Sequence, residues 1–129
     1  MKTTQARLVR VAHKGMVTWG TVEDDGVHRL EGSPYGTWES GEKLGILDEL
    51  TLLPPTAPTK VVCVGRNYIA HAAEHGSPVP EAPLLFLKPP SSMIGHGDAV
   101  VLPPQSQRVE HEAELTIVIG RRCRNVTRE

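Results

Sequence analysis

Proline is distributed unevenly along this chain of 129 residues. Pro34 is the only proline before residue 54, and the other ten of the 11 prolines lie at residue 54 or later. Because proline fixes φ and has no backbone N–H to donate, it is excluded from helix interiors and from the middle of sheets. The sequence therefore predicts one type of regular element before residue 54, and short strands separated by rigid, extended turns after it.

The first part of the chain has the alternation of apolar and polar side chains that is typical of β-strands. Three segments show it, 5–12, 16–23 and 27–31, and Lys14-Gly15 and Asp24-Asp25-Gly26 form the turns between them. Residues 32–42 are rich in turn-forming side chains, and one or two helical turns are expected over 43–50. The prediction is a small antiparallel β segment of three strands, which is marginally stable without a surface to pack on.

Residues 54–59, Pro-Pro-Thr-Ala-Pro-Thr, form the predicted boundary between two domains, because proline-rich segments are stiff and extended. The predicted organisation is a small β domain over 1–53, a linker over 54–59 and a second domain over 60–129. In the second domain we expect a short helix over 68–75 and four strands, over 60–64, 84–88, 99–102 and 112–119. The fold class is therefore mixed and β-rich, of the α+β type.

Composition excludes several classes of protein. The net charge of −1 gives no general attraction to nucleic acid or to anionic lipid, and no apolar stretch approaches the roughly 18 residues that cross a membrane. Cys63 and Cys123 are sixty residues apart and form neither a CxxC pair nor a disulfide framework. Because the N terminus also lacks a signal-peptide pattern, we expect a soluble cytoplasmic protein that binds neither nucleic acid nor membranes.

A histidine and a glutamate on the predicted helix are the first candidates for chemistry. His71 and Glu74 are three positions apart, which places both side chains on one helix face. A carboxylate beside an imidazole fixes its tautomer and raises its basicity, so the pair could act as a general base on water. The alternative is an exposed ion pair on a surface helix, which is common in proteins.

Glu112 and Glu114 are the second candidates. In a strand, residues two apart point to the same face. Two converging carboxylates suit Mg²⁺ or Mn²⁺, and also Ca²⁺, because these ions prefer oxygen ligands. The alternative is a solvated strand face opposite the apolar residues at 113, 115, 117 and 119. A third acidic ligand is missing, because no Asp or Glu follows Glu114 before Glu129.

Lys88 ends a predicted strand before a loop of small residues, where its ammonium group could hold a substrate carboxylate. The alternative is a lysine that only solubilises the end of a buried strand. The arginines at 121, 122 and 124 are interpreted as a solvated basic turn, and His13, His28 and His96 as isolated surface or loop residues.

Three motifs follow one another in the second half of the chain. They are Gly-Arg-Asn-Tyr-Ile-Ala-His-Ala-Ala-Glu at 65–74, Phe-Leu-Lys-Pro at 86–89, and His-Glu-Ala-Glu-Leu at 111–115 with Val-Ile-Gly at 118–120. In this order they resemble the G-x-N-Y-x-x-H-x-x-E, F-x-K-P and E-x-E-L motifs of the fumarylacetoacetate hydrolase family. The resemblance covers residues 60–129, and the small β segment before it is similar to an N-terminal extension of bacterial members.

The resemblance implies a catalytic domain with a rolled β-sheet, of which residues 60–129 are the first part, and a bound Mg²⁺ or Mn²⁺. By match, Glu112 and Glu114 are metal ligands, His71 is the general base, Glu74 orients it, and Lys88, Arg66 and Tyr68 bind substrate. The implied substrates are 2-oxo or β-diketo acids, such as an acylpyruvate, oxaloacetate or a hydroxymuconate. The implied reactions are C–C hydrolysis, decarboxylation and keto–enol isomerisation, all through a metal-stabilised enolate.

The chain departs from the family pattern after the E-x-E pair. The family's third metal ligand, an Asp, and a catalytic Lys would lie beyond Glu129, so we expect the front part of a longer protein that is inactive alone. We expect it to assemble as a homodimer or with a C-terminal half. The alternative function is that of a catalytically incomplete fragment that serves only in assembly or interaction.

Overall fold

The computed structural model describes residues 6–74, 76 and 78–128. Its contacts divide the chain into two compact units. The N-terminal unit comprises Met1–Thr56 together with Gly95–Glu129, and the hairpin unit comprises Ala57–Ile94. Among the described residues, no helix is long and apolar enough to cross a membrane.

The N-terminal unit is built on one five-stranded antiparallel sheet, which confirms the predicted antiparallel β segment. Its strands are β1 (Arg7–His13), β2 (Met16–Glu23), β3 (Gly26–Gly32), β4 (Trp38–Gly45) and β5 (Thr51–Leu52). The first four form a meander, and β5 returns to the outer edge of β1, giving the order β4-β3-β2-β1-β5. The first hairpin has positive φ at both Lys14 (48°) and Gly15 (78°), as a two-residue turn that matches strand twist requires.

The fourth strand corrects the prediction of turns over 32–42 and of helix over 43–50. Strand β4 occupies Trp38–Gly45, and only Leu47–Glu49 are helical, as one 3₁₀ turn. The register between β3 and β4 shifts on both sides of His28. Such bulges place two residues of one strand opposite one of the other, and they break the alternation on which strand prediction depends.

The core of the N-terminal unit lies on one face of the sheet. Val11 and Val27 are fully buried, and Leu44 is nearly so. Partly buried apolar side chains pack around these three, namely Val9, Val22, Leu47, Leu50 and Leu52. Burying a valine stabilises a fold by about 1.5–3 kcal/mol. The segment after β4 therefore folds back over the sheet and supplies the packing surface that three strands alone would lack.

A polar cluster holds the irregular pairing of β3 with β4. The Nδ1 atom of His28 lies 3.1 Å from the carbonyl oxygen of Gly41, and its Nε2 atom lies 2.9 Å from Oδ1 of Asp25. Because a carbonyl and a carboxylate can only accept, both ring nitrogens donate when the imidazole is protonated, and the two contacts favour that charged form. The ammonium of Lys43 binds the other Asp25 oxygen at 3.3 Å. His28 is thus not the isolated surface residue that the sequence suggested.

The hairpin unit contains two strands with a helix between them. They are β6 (Val61–Gly65), α1 (Ile69–Glu74) and β7 (Leu84–Lys88), followed by one 3₁₀ turn at Pro90–Ser92. The strands pair antiparallel from Val61 opposite Lys88 to Gly65 opposite Leu84. These elements confirm the predicted strand over 84–88 and, displaced by one residue, the strand predicted over 60–64. The predicted helix over 68–75 is also confirmed, although it begins at Ile69, and its predicted last residue, His75, lies outside the described residues.

The strands predicted over 99–102 and 112–119 are wrong for this chain. Within the described part, no strand follows Lys88, and every residue from 96 to 128 is exposed. Leu115 and Ile117 are 81% and 77% exposed. Alternation states which side chains share a face, but a strand also needs a neighbour that pairs with its backbone groups. The described residues supply no such neighbour for 99–102 or 112–119.

His28 makes the stability of the N-terminal unit depend on pH. Its hydrogen bond to Asp25, and then that to Gly41, raise its pKa above the ordinary 6.5. The same bond and that from Lys43 lower the pKa of Asp25 below 3.8. A group with a raised folded-state pKa stabilises the fold fully below its unfolded value and ceases to do so as the pH rises through the folded value. We therefore expect this contribution to be lost on going above pH 6.5.

The test is urea unfolding of His28→Gln at about pH 5 and about pH 8. The unfolding midpoint of the variant should fall less between these two conditions than that of the original chain, because glutamine does not titrate. His13→Gln, at the end of β1, is the matched control and should keep the original pH dependence. An NMR titration of His28 with its midpoint at or below 6.5 would contradict the assignment.

Candidate functional site

The helix of the hairpin unit brings His71 and Glu74 together, as their spacing predicts. The Nδ1 atom of His71 lies 3.9 Å from Oε2 of Glu74. The histidine side chain is 33% exposed and the glutamate side chain 74%. At this distance the two groups form an ion pair when the imidazole is protonated, but not a hydrogen bond. The geometry therefore suits a carboxylate that stabilises a charged imidazole, and the catalytic role of the pair stays a prediction.

Strand β6 is joined to α1 by a residue in an unusual backbone conformation. Arg66 follows the strand directly and has φ of +54°, in the left-handed region. This conformation costs a non-glycine residue roughly 1–2 kcal/mol, and such strained positions concentrate at functional sites. Two residues later, the carbonyl oxygen of Tyr68 accepts the N–H of Ala72 at 3.1 Å and so begins α1. The turn thus places Arg66 and Tyr68 immediately before the helix that carries His71.

Lys88 ends β7 and lies in the wall of an open groove of about 320 Å³. The groove is lined by Thr59, Lys60, Leu87, Lys88, Pro89 and Pro90. Two lysines beside apolar side chains suit an organic anion that carries a carboxylate. His71 and Glu74 are not among the lining residues, so the groove and the histidine pair are separate features of this unit. The substrate-binding role of Lys88 stays a prediction.

Glu112 and Glu114 lie in the N-terminal unit, on an exposed segment without regular structure. Since that segment is not a strand, the same-face argument does not apply to it in this chain. Their carboxylate oxygens are the ligand type that Mg²⁺ and Mn²⁺ prefer. Among the described residues, however, the two belong to no group of three ligating side chains. The two side chains are therefore ligands of a suitable type for the metal, but two ligands are too few to hold it.

One group of three metal-ligating side chains was not anticipated from the sequence. Ligand atoms of Glu23, Asp25 and His28 lie within 4.8 Å of one another. These atoms already have partners: the two nitrogens of His28 lie within hydrogen-bond distance of Asp25 and of the Gly41 carbonyl, and the Ser40 hydroxyl donates to Glu23. We assign the group to the stability of the sheet. All three residues lie within 23–28, so the Glu-x-Asp-x-x-His spacing was a local signal of this group, although His28 was predicted to be isolated.

Two family models match the chain. Residues 60–129 match the model described as fumarylacetoacetate (FAA) hydrolase, C-terminal. Residues 6–55 match the model described as Rv2993c-like, N-terminal. The first match ends at 55, within the predicted linker over 54–59, and the second begins at 60. The division into domains over 1–53 and 60–129 stays a prediction.

Relatives with known structures or activities are longer proteins. The chain is 52% identical over 79 residues to oxaloacetate tautomerase FAHD2A of human mitochondria, covering 60% of this chain and 25% of that protein. A Mycobacterium abscessus structure matches at TM-score 0.63 with 38% identity, covering 77% of this chain and 39% of that one. The 2-hydroxyhepta-2,4-diene-1,7-dioate isomerase of Mycobacterium marinum matches at TM-score 0.55 with 29% identity, covering 70% and 34%. The chain thus spans less than two fifths of each relative.

The strain at Arg66 predicts an unusual order of stability among its variants. Glycine adopts positive φ without a steric penalty, whereas alanine does not. We expect Arg66→Gly to be more stable than Arg66→Ala by about 1 kcal/mol in urea unfolding. Both variants lack the guanidinium, so their difference isolates the backbone effect.

Lys60 provides the matched pair of control variants, because its φ lies outside the left-handed region. There the order should reverse, with Lys60→Gly less stable than Lys60→Ala by roughly 0.5–1 kcal/mol. Equal stability of the two Arg66 variants would show that the turn is not strained in solution.

Proposed function

Because the chain belongs to the fumarylacetoacetate hydrolase family, we propose that it is part of a metal-dependent enzyme that isomerises 2-oxo acids. The family includes tautomerases and isomerases, to which this chain is similar. The observation that carries the proposal is the His71–Glu74 pair on α1, within the region that is 52% identical to an oxaloacetate tautomerase. Keto–enol isomerisation needs a base and its conjugate acid at one place, which a histidine beside a carboxylate supplies.

The proposed reaction moves one proton between carbon and oxygen. His71 removes a proton from the carbon next to the 2-oxo group, and the C–H electron pair becomes the new C=C bond while the carbonyl oxygen takes up charge. Glu74, 3.9 Å from Nδ1, stabilises the imidazolium that forms. The proton then returns to the enolate oxygen, and the isomerisation is complete. Water is not consumed in this sequence, which distinguishes isomerisation from C–C hydrolysis.

Positive groups on the hairpin unit are proposed to bind the acid. The guanidinium of Arg66 can pair with a carboxylate through two parallel hydrogen bonds, and the ammonium of Lys88 acts as a point charge. The phenol of Tyr68, 43% exposed, can donate to a substrate oxygen. A divalent cation held by Glu112, Glu114 and a further ligand would supply positive charge where the enolate oxygen develops. These assignments rest on the family motifs together with the exposed positions of the side chains.

The exposed apolar strand of the hairpin unit supports a proposal about partners. All five residues of β7 are exposed, with Leu85 at 61% and Leu87 at 68%. A sheet of two strands is marginally stable by itself, and a contiguous apolar surface of this kind marks an interface. We propose that a C-terminal half of the catalytic domain, or a second copy of this chain, covers β7. The relatives' greater length supports the first of these.

A chimera tests the proposed reaction. Residues 60–129 of this chain replace the matching segment of the human oxaloacetate tautomerase, which supplies the remaining parts of the domain. We expect Mg²⁺-dependent oxaloacetate tautomerisation, and His71→Gln should lower its rate by roughly 10²–10⁴-fold. His96→Gln, in an exposed loop, is the matched control and should leave the rate unchanged.

A folded chimera that releases pyruvate faster than it tautomerises oxaloacetate would contradict isomerisation and favour decarboxylation. A folded chimera without either activity would contradict the enzyme proposal and favour the assembly module. The 129-residue chain tested alone should be inactive, because Glu112 and Glu114 provide only two ligands for the metal.

Light scattering tests the interface. Without its C-terminal half, the chain should have a mass above the 14.1 kDa of one copy, because β7 pairs with a second copy. Leu87→Lys should return it to one copy. Val17→Lys introduces the same charge at a valine that is 57% exposed on the N-terminal sheet, and it should leave the mass unchanged. A monomeric original chain would contradict pairing through β7.

A further inference from the structure

Gly95 packs against the backbone of the N-terminal sheet. It is buried, and a Cβ atom built on it would overlap the carbonyl oxygen of Leu52 in β5. A tight turn holds it there, in which the N–H of Gly95 donates to Oδ2 of Asp98 at 2.6 Å and the N–H of Asp98 donates back to the Gly95 carbonyl at 3.3 Å. Only glycine permits so close an approach of two backbones.

A second glycine contacts the same sheet unit 25 positions later in the chain. A Cβ atom built on Gly120 would lie 3.2 Å from Cδ1 of Tyr35, so the backbone rests against the tyrosine ring. The ring is held in place from two sides. It packs edge-to-face on Trp19 with centroids 6.0 Å apart, and its hydroxyl lies 2.8 Å from Oγ1 of Thr56. Neither Gly95 nor Gly120 has positive φ, so what restricts these positions is the space beside them: Gly95 has no room for a Cβ atom, and at Gly120 a Cβ atom would fit only tightly.

The two contacts enclose the segment that carries Glu112 and Glu114. We propose that the N-terminal sheet is a positioning platform, which holds residues 95–120 at both ends and so restricts the two carboxylates. The metal-binding part of this statement rests on the proposed function, whereas the position of the segment does not.

Such a platform would restrict the conformations of the segment that carries the two carboxylates. The segment between the two glycines has no regular structure and is exposed, so its own backbone does little to confine the carboxylates. Fixing both ends of a flexible segment reduces the conformations that it can adopt, and ligands that are already confined lose less entropy when an ion binds. In this proposal, residues 6–55, which match the Rv2993c-like model, position a segment of residues 60–129, which match the hydrolase model.

A spin label on Cys123 tests the position of the segment. Cys123 is exposed and lies three residues beyond Gly120, at most about 11 Å along the chain. The label is attached in a Cys63→Ser background, and the indole N–H signal of Trp19 is observed by NMR. We expect the oxidised label to attenuate this signal severalfold, and the signal to recover when the label is reduced.

Variants separate the platform from general effects on folding. Tyr35→Ala removes the ring, and Gly95→Ala adds a methyl group that has no space, so both should weaken the attenuation severalfold. Tyr35→Phe keeps the ring and should retain it. Gly36→Ala is the matched control, because its nearest neighbouring atom would lie 3.7 Å away and the methyl group fits. Far-UV circular dichroism identifies any variant that does not fold.

Binding of Mn²⁺ alone, followed by electron paramagnetic resonance, tests the connection to the carboxylates. Glu112→Gln should weaken Mn²⁺ binding severalfold, and so should Tyr35→Ala, while Tyr35→Phe and Glu81→Gln should not. If the Trp19 signal is not attenuated in the labelled chain, the platform is wrong even where Glu112→Gln weakens binding. If it is attenuated but Glu112→Gln leaves Mn²⁺ binding unchanged, the metal assignment is wrong and the platform stands.

Discussion

Pairing of backbone hydrogen-bonding groups is the constraint on which this structure depends. Strands β1 to β5 form because each has a neighbour within the same short stretch of chain, and β5 reaches the open edge of β1 through Val11 and Leu52. Residues 112–119 have an equally clear strand pattern but no neighbour among the described residues, and they stay irregular. The candidate side chains differ in the same way, according to whether neighbouring or distant residues position them. His71 is positioned by a local helix, whereas Glu112 and Glu114 depend on contacts made at a distance.

The sequence predicted those parts of the fold whose determinants are local. The hairpin at Lys14-Gly15 and strand β7 at Leu84–Lys88 are confirmed because turn chemistry and short apolar runs are properties of adjacent residues. Strand β4 was missed because residues 32–42 are rich in turn-forming side chains, and because the register shifts around His28 appear only when β4 pairs with β3. The strands over 99–102 and 112–119 were wrong because periodicity describes a face and contains no information about a pairing partner.

The same distinction applies to the candidate site. The approach of His71 to Glu74 could be read from a spacing of three on a helix, and it is confirmed at 3.9 Å. The strain at Arg66 could not be predicted, because its side chain gives no sign that the turn requires positive φ. The polar cluster of His28, Asp25 and Lys43 was missed for another reason: Asp25 is close to His28 in sequence, but Lys43 and the Gly41 carbonyl reach them only when β4 pairs with β3.

The return of β5 to β1 also determines the order in which this part of the chain can fold. The three hairpins that join β1 to β4 link neighbouring segments, so each closes only a short loop. Strand β5 pairs with a strand some forty residues earlier, at Ala12 opposite Thr51, and pays a larger loop-closure entropy. The Leu52 carbonyl on which Gly95 rests exists as a surface only after that closure. The segment with the two carboxylates can therefore make its Gly95 contact only after β5 has paired with β1.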